Sequence, residues 1–135
     1  MIHLDTSVLV DALTGPARLA PRLREAVHKG ERLLVSTLVL YEWLRGPRTD
    51  AELHVQAQLF PQDTAIPFAA PTAARAAALY RSLKRPRGRE IDLAIAACAI
   101  EHSAALWTLN ADDFRDIPGL ILHAGGDMPG HVPRR

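Results

Sequence analysis

The sequence predicts an α/β fold of three layers, in which helices cover both faces of a central parallel sheet of about five strands. Short, continuous apolar runs alternate along the chain with amphipathic helical segments, which is the pattern of repeated βα units. The 135 residues, 48% of them hydrophobic, suffice for one domain and are too apolar for a disordered chain. We therefore predict one domain over residues 1–124 and a flexible tail over residues 125–135, which is rich in glycine and proline.

The first part of the chain predicts two strands with two helices between them. Residues 1–4 and 33–35 are short, mainly apolar runs, as expected of buried parallel strands. Residues 7–13 and 17–28 instead carry apolar residues at helical spacing, and glycine follows each segment within two residues.

The middle of the chain predicts two helices and a weak strand. Ser36 or Thr37 can cap a helix that continues to residue 44, and a second helix occupies residues 49–60. Residues 65–67 form a short apolar run that contains a proline, which favours a position at the edge of the sheet.

The last part of the chain predicts two further helices and two further strands. Thr72 can cap an alanine-rich helix over residues 72–83, and residues 90–102 form a strongly apolar helix. Residues 105–109 and 120–122 are apolar runs of strand length, which complete a sheet of about five strands.

Charge and cysteine counts exclude several classes of protein. Sixteen lysines and arginines balance 15 acids, for a net charge of +1, which argues against a polybasic, nucleic-acid-coating surface. The single cysteine, Cys98, excludes an internal disulfide scaffold and a thiolate zinc cluster. The first residues lack the basic start of a signal peptide, and the apolar runs are shorter than a membrane span. We therefore expect a cytoplasmic protein.

Polar side chains follow two of the predicted strands directly. Asp5 comes after the first strand, Thr108 and Asn110 end the strand at residues 105–109, and Asp112 and Asp113 lie just beyond it. In open α/β sheets, ligands bind outside the carboxyl ends of the strands. These residues are therefore candidates for a functional site.

Two further carboxylates lie on the predicted helices. Glu42 interrupts an apolar helix, and Asp92 lies in the first turn of the helix at residues 90–102. Each acid also has a structural interpretation: Asp5 as a helix cap, Asp92 as a partner of the helix dipole, and Glu42 as a partner of Arg45. If they converge, the like charges repel one another unless a cation neutralises them, and oxygen ligands favour Mg²⁺ or Mn²⁺.

Four segments carry a resemblance to a known family. Residues 1–9 (MIHLDTSVL), 36–42 (STLVLYE), 92–97 (DLAIAA) and 108–114 (TLNADDF) resemble, in order, the four motifs of PIN-domain proteins. The similarity extends from the first residue to about residue 122. Chain length and motif spacing are most similar to the VapC toxins of bacterial and archaeal toxin–antitoxin pairs.

The resemblance implies a compact α/β/α fold and a Mg²⁺- or Mn²⁺-dependent endoribonuclease. It also implies a homodimer that a VapB-type antitoxin holds inactive. Asp5, Glu42 and Asp92 match the first three acids of the family, whereas the fourth position could be filled by Asn110 or by Asp113. Two hydroxyl residues of the motifs, Thr6 and Thr108, are interpreted as supporting groups that orient the carboxylates.

The mechanism implied by the resemblance is metal-assisted hydrolysis of an RNA phosphodiester bond. Asp5 and Asp92 are expected to bind the ion directly, and Glu42 and Asp113 to act through water or a second ion. A carboxylate is expected to orient a water molecule for in-line attack, without a covalent intermediate. The catalytic set predicted on this basis is Asp5, Glu42, Asp92 and Asp113.

A basic loop immediately precedes the helix that carries Asp92. We interpret it as a rim that grips RNA phosphates, although an exposed loop in an arginine-rich protein is an equally good interpretation. The basic residues of the segment are Arg81, Lys84, Arg85, Arg87 and Arg89, of which the last three are the predicted RNA contacts.

Three alternative functions fit parts of the pattern. A phosphatase-like enzyme of the haloacid dehalogenase type would need a second aspartate where this chain has Ser7. A receiver-like signalling module would need an aspartate at the end of a middle strand and a lysine near a later one. A catalytically inactive PIN-fold binding module would differ from the enzyme only in metal occupancy and turnover.

Overall fold

The computed structural model describes residues 1–124. The predicted tail, residues 125–135, lies outside the described residues. The helices and the three strands follow one another in the predicted order. The elements are β1 (Ile2–Leu4), α1 (Thr6–Leu13), α2 (Ala20–His28), β2 (Leu33–Leu34), α3 (Thr37–Arg45), α4 (Asp50–Leu59), α5 (Ala70–Ser82), α6 (Glu90–Glu101) and β3 (Ala105–Trp107), with 3₁₀ turns at Gln62–Thr64 and Ala111–Asp113.

The sheet is parallel and has the strand order β2-β1-β3, so the first strand of the chain lies in the centre. His3 is paired in register with Leu34 on one side and with Leu106 on the other. All three residues of β1 are buried, although successive side chains point to opposite faces. The sheet is therefore covered on both faces, as predicted for a three-layer α/β fold.

The two remaining predicted strands contribute one parallel bridge each. Ile66 pairs with Ser36, and Leu122 pairs with Leu106. Proline explains why the first of these segments is so short: Pro67 follows Ile66 directly and has no N–H to donate to a ladder. The structure therefore extends the three-stranded sheet at both edges without adding two full strands.

Two helices, α2 and α5, begin more than one residue away from their predicted starts. Residue Ala17 has a φ of +52°, so the predicted start of α2 is in the left-handed region and the helix begins at Ala20. Helix α5 begins at Ala70 because Pro71 occupies its first turn, where a missing N–H costs nothing, and Thr72 is buried within the helix. Ser36 caps α3, as predicted, and the structure adds a cap by Thr49 at the start of α4.

The last long helix, α6, lies inside the domain. Its residues 93–99 are all buried, and the helix packs against α5, α3 and β3. A helix that is apolar on all sides requires cover on all sides, which agrees with its contacts. Among residues 1–124, no helix has both the length and the apolar character needed to cross a bilayer.

The centre of the sheet contains an unusual polar residue, His3. Its side chain is fully buried, and neither ring nitrogen has a hydrogen-bond partner. Burial lowers the pKa of His3 from 6.5 to about 4. The nearby backbone of Leu4, which is outside hydrogen-bond geometry, raises this pKa, and the charge of His102 lowers it. His3 is therefore an electrically neutral part of the core at neutral pH.

Candidate active site

Asp5 lies at the carboxyl end of β1, at the N-cap position of α1, but its side chain does not cap the helix. Its Oδ2 atom instead accepts hydrogen bonds from the Ser7 hydroxyl at 2.9 Å and from the Thr108 hydroxyl at 2.7 Å. The residue is only 5% exposed. The side chain of Asp5 is therefore not a helix cap, as its structural interpretation suggested. It is a buried carboxylate that two hydroxyl groups hold in one orientation.

The surroundings of Asp5 raise the pKa of its carboxyl group. Burial raises the pKa of its carboxyl group, the Thr108, Ser7 and Thr6 hydrogen bonds lower it, and the negative charge of Glu42 raises it further. The two side chains that bind it are neutral hydroxyls, so neither offsets its negative charge. A nearby cation would favour the ionised form of a carboxyl group in these surroundings.

Hydrogen bonds at the carboxyl ends of β1 and β3 hold these hydroxyls in place. The Asp5 N–H donates to the Trp107 carbonyl at 2.9 Å, the Leu109 N–H to the Ser7 hydroxyl at 3.0 Å, and the Asn110 N–H to the Thr108 hydroxyl at 3.0 Å. The adjacency of the two strands thus brings together two predicted motifs that are about 100 residues apart. The role of Ser7 was not predicted, and its contact with Leu109, 102 residues away, is one that no local pattern indicates.

Glu42 approaches the same region from α3. Its Oε1 atom accepts a hydrogen bond from the Thr6 hydroxyl at 2.6 Å, and its Oε2 atom accepts one from Arg45 at 3.3 Å. Its side chain is 19% exposed, which is low for a glutamate. Both interpretations of Glu42 therefore hold: it pairs with Arg45 along the helix, and it is oriented by a residue next to Asp5.

Asp92 and Asp113 lie near a single guanidinium group. Both carboxylates are half-buried, and their charges contribute to a raised pKa of Arg89, after the larger effect of its hydrogen bonds to Asp116. Arg89 also donates to the backbone carbonyl of Asp113 at 2.9 Å. The structure thus places the third predicted acid and one of the two candidates for the fourth around Arg89.

The predicted rim residues differ in exposure. Arg85 and Arg87 are exposed, whereas the side chain of Arg89 is only 21% exposed and is bound to Asp116. Gly88 lies between the last two with a φ of +84°, which turns the chain from the loop into α6. Arg85 and Arg87 are accordingly positioned to contact a ligand in solution, and Arg89 is held by the protein.

The acidic side chains do not form a compact cluster. Among the residues that the structure describes, no three His, Cys, Asp or Glu side chains are grouped so as to hold a metal ion by themselves. The large apolar groove of the domain, about 700 Å³, lies elsewhere, between α1, α2, β2 and α4, and is lined by none of the predicted site residues. The polar region around Asp5 is therefore the candidate active site, with Asp5 as its best-defined group.

Comparison with known proteins agrees with this geometry. The PIN domain family matches residues 2–120. The chain belongs to the PIN domain family. This PIN domain is 34% identical to Ribonuclease VapC19 from Mycobacterium tuberculosis over 123 residues, which cover 87% of this chain and 94% of the relative.

Solved structures of similar fold come from toxin–antitoxin complexes. One is VapBC2 from Rickettsia felis bound to a DNA fragment from its promoter, with a TM-score of 0.73 and 27% identity over 91% of this chain and 98% of the other. Another is a toxin–antitoxin complex from Klebsiella pneumoniae, with a TM-score of 0.71 and 26% identity over 98% and 100% of the two chains. The resemblance inferred from the four sequence motifs is therefore confirmed.

Proposed function

We propose that this PIN domain is a divalent-metal-dependent endoribonuclease, the toxin of a toxin–antitoxin pair, and that a VapB-type antitoxin inhibits it. The observation that carries the proposal is the buried Asp5 carboxylate, held by two hydroxyls where β1 and β3 end side by side. A carboxylate that burial and a neighbouring acid both disfavour is typical of a functional site. Its position beyond the carboxyl ends of parallel strands agrees with this.

The relatives support the substrate class and the partner. The Mycobacterium tuberculosis relative is named a ribonuclease, and the Rickettsia felis and Klebsiella pneumoniae structures are complexes of a toxin with its antitoxin. The family match over residues 2–120 spans the positions of all four candidate acids. RNA is therefore the proposed substrate, and a VapB-type protein the proposed inhibitor. A homodimer stays a prediction from the family resemblance.

The donor chemistry of the site fits Mg²⁺ or Mn²⁺. The candidate ligands are oxygen atoms, and Mg²⁺ in proteins keeps several water molecules and binds to one or two carboxylates together with substrate phosphates. Asp5 and Asp92 would hold the ion, with Glu42 and Asp113 nearby.

The chain's own residues orient the reacting groups. Ser7 and Thr108 hold the Asp5 carboxylate, and Thr6 holds Glu42, so both acids present fixed oxygen atoms. Glu42 or Asp113 can accept a hydrogen bond from the water that attacks the phosphorus atom in line. When bound, a divalent ion lowers the pKa of water and offsets negative charge that develops on the phosphate.

Removal of divalent ions tests the proposed activity. Purified chain, freed of antitoxin, should cleave total RNA at discrete positions in Mg²⁺ or Mn²⁺, and EDTA should abolish cleavage until the ion is restored. Cleavage that persists in EDTA would contradict the metal requirement. If the folded protein leaves all RNA intact with either ion, the inactive binding module becomes the better interpretation.

Replacing the two exposed loop arginines tests the RNA rim. If Arg85 and Arg87 each contact a phosphate, the Arg85→Gln/Arg87→Gln variant should bind RNA more weakly and with a smaller salt dependence. Each lost contact to a single strand reduces the slope of log affinity against log salt by about 0.7. Fluorescence anisotropy at several salt concentrations measures the slope.

The matched control for this variant is Arg18→Gln/Arg24→Gln, which also removes two positive charges. Both arginines are exposed; Arg18 precedes α2 and Arg24 lies within it. The control should keep the wild-type slope. Equal slopes for the loop variant and the wild type would show that the loop is an ordinary solvated surface.

A further inference from the structure

The side chain of Arg89 makes the most extensive set of hydrogen bonds near the site. Its Nη1 and Nη2 atoms donate to the two carboxylate oxygens of Asp116 at 2.9 and 2.6 Å. Nη2 also donates to the Asp113 carbonyl at 2.9 Å, and Nη1 donates to the Arg85 carbonyl at 3.3 Å. A paired contact of this kind fixes both the position and the plane of a guanidinium group.

These contacts join two segments that carry candidate site acids. Arg89 is the N-cap residue of α6, three positions before Asp92, and Asp113 is the last residue of the 3₁₀ turn that follows β3. That turn is held internally by few bonds, such as the Asp113 N–H to the Asn110 carbonyl at 2.9 Å. Short 3₁₀ turns have poor hydrogen-bond geometry, so an external tether contributes to their order.

The same guanidinium also affects the charge balance of the site. Asp92 and Asp113 are near enough to contribute to its raised pKa, and two carboxylates that approach one another repel. A cation fixed between the start of α6 and the turn reduces that repulsion. Asp116, whose pKa Arg89 lowers, stays ionised and keeps the guanidinium in place.

We propose that Arg89 and Asp116 are a positioning pair for the active site. Asp116 holds the guanidinium, and the guanidinium fixes the backbone of Asp113 relative to the beginning of the helix that carries Asp92. The effect on catalysis rests on the ribonuclease function proposed above, whereas the effect on the turn does not. This role for Arg89 differs from that of Arg85 and Arg87, because its donors are used within the protein.

Amide hydrogen exchange tests the tether without an activity measurement. In Asp116→Asn and Arg89→Gln, the amides of Asp113 and Phe114 should exchange at least about threefold faster than in the wild type, because local opening of the turn becomes easier. The control is Arg115→Gln, which removes the exposed Arg115–Asp112 ion pair of the same segment and should leave these rates unchanged. Rates in Asp116→Asn equal to those of the control would overturn the proposal.

Steady-state cleavage gives the second measurement. Loss of the pair should reduce kcat by about tenfold and leave KM within about twofold, because a positioning residue acts on the catalytic groups and not on RNA binding. Arg89→Lys keeps the charge but not the paired geometry and should recover only part of kcat. A raised KM with unchanged kcat would show instead that Arg89 binds RNA. If the wild type does not cleave RNA, the ribonuclease proposal fails, and hydrogen exchange alone decides on the tether.

Discussion

We expect the Asp5→Asn variant to cleave RNA at least about 100-fold more slowly than the wild type, because it removes a charge that acts on the developing transition state. The substitution keeps the size of the side chain, and the asparagine carbonyl can still accept the hydrogen bonds of Ser7 and Thr108. Binding of Mn²⁺, measured by calorimetry, should weaken in parallel. Gel-based cleavage rates at saturating metal measure the main effect.

The same variant should unfold at the same temperature as the wild type or at a higher one in metal-free buffer. The pKa of Asp5 is raised by burial, so the folded state favours the protonated acid, and stability from this group is lost as pH rises through its folded pKa. Near neutral pH the burial of this carboxyl group therefore opposes folding, and a neutral amide removes that opposition. Mn²⁺ should raise the melting temperature of the wild type and not that of the variant.

The control for Asp5→Asn is Asp63→Asn, which changes an exposed aspartate in the first 3₁₀ turn by the same chemistry. Its cleavage rate and metal response should match the wild type. Retained cleavage in Asp5→Asn would remove Asp5 from the catalytic set. A large fall in its melting temperature would instead show that the charge of Asp5 stabilises the fold.

We expect His3 to cause a marked loss of stability in acid. Its pKa is 6.5 when unfolded and about 4 in the folded chain, and this difference corresponds to roughly 3 kcal/mol of unfolding free energy. Because the unfolded chain binds the proton more readily, the contribution is complete above pH 6.5, falls as the pH is lowered and levels off below about pH 4. Urea unfolding of metal-free protein at several pH values measures this curve.

The His3→Leu variant isolates the contribution of this residue. Leucine fills a similar volume and removes two buried nitrogens that have no partners, so stability at pH 7 should be kept or increased. The difference in unfolding free energy between variant and wild type should then grow between pH 6.5 and 4. Substitution of the exposed His54 by Gln should leave the wild-type pH dependence in place. A difference that stays constant with pH would rule out His3 as the cause.

Most of the fold could be predicted because its elements are local. Apolar spacing and capping residues identified the six α-helices of residues 1–124, and Ser36 caps α3 in the predicted way. The errors occurred where backbone conformation or a tertiary contact overrode the local pattern. Ala17 adopts a left-handed conformation that delays α2, and the segment around Ile66 has a strand-like sequence but forms only one bridge.

The candidate site was predictable in its acids and not in the contacts that hold them. Asp5 and Glu42 were identified because one follows a strand and the other interrupts an apolar helix. The hydrogen bond of Ser7 with Leu109 and that of Arg89 with Asp116 both join residues that are distant in sequence. Such hydrogen bonds follow from which strands are neighbours, and no local pattern contains that information.

The pairing of the first strand with the last has a consequence for synthesis of the protein. Asp5 is synthesised 103 residues before its partner Thr108. Contacts between distant parts of a chain form late in folding, since the intervening loop must close first. A nascent chain that ends before β3 thus lacks both the central pairing of the sheet and the hydroxyl that orients Asp5. The candidate active site is therefore complete only after nearly the whole domain has been synthesised.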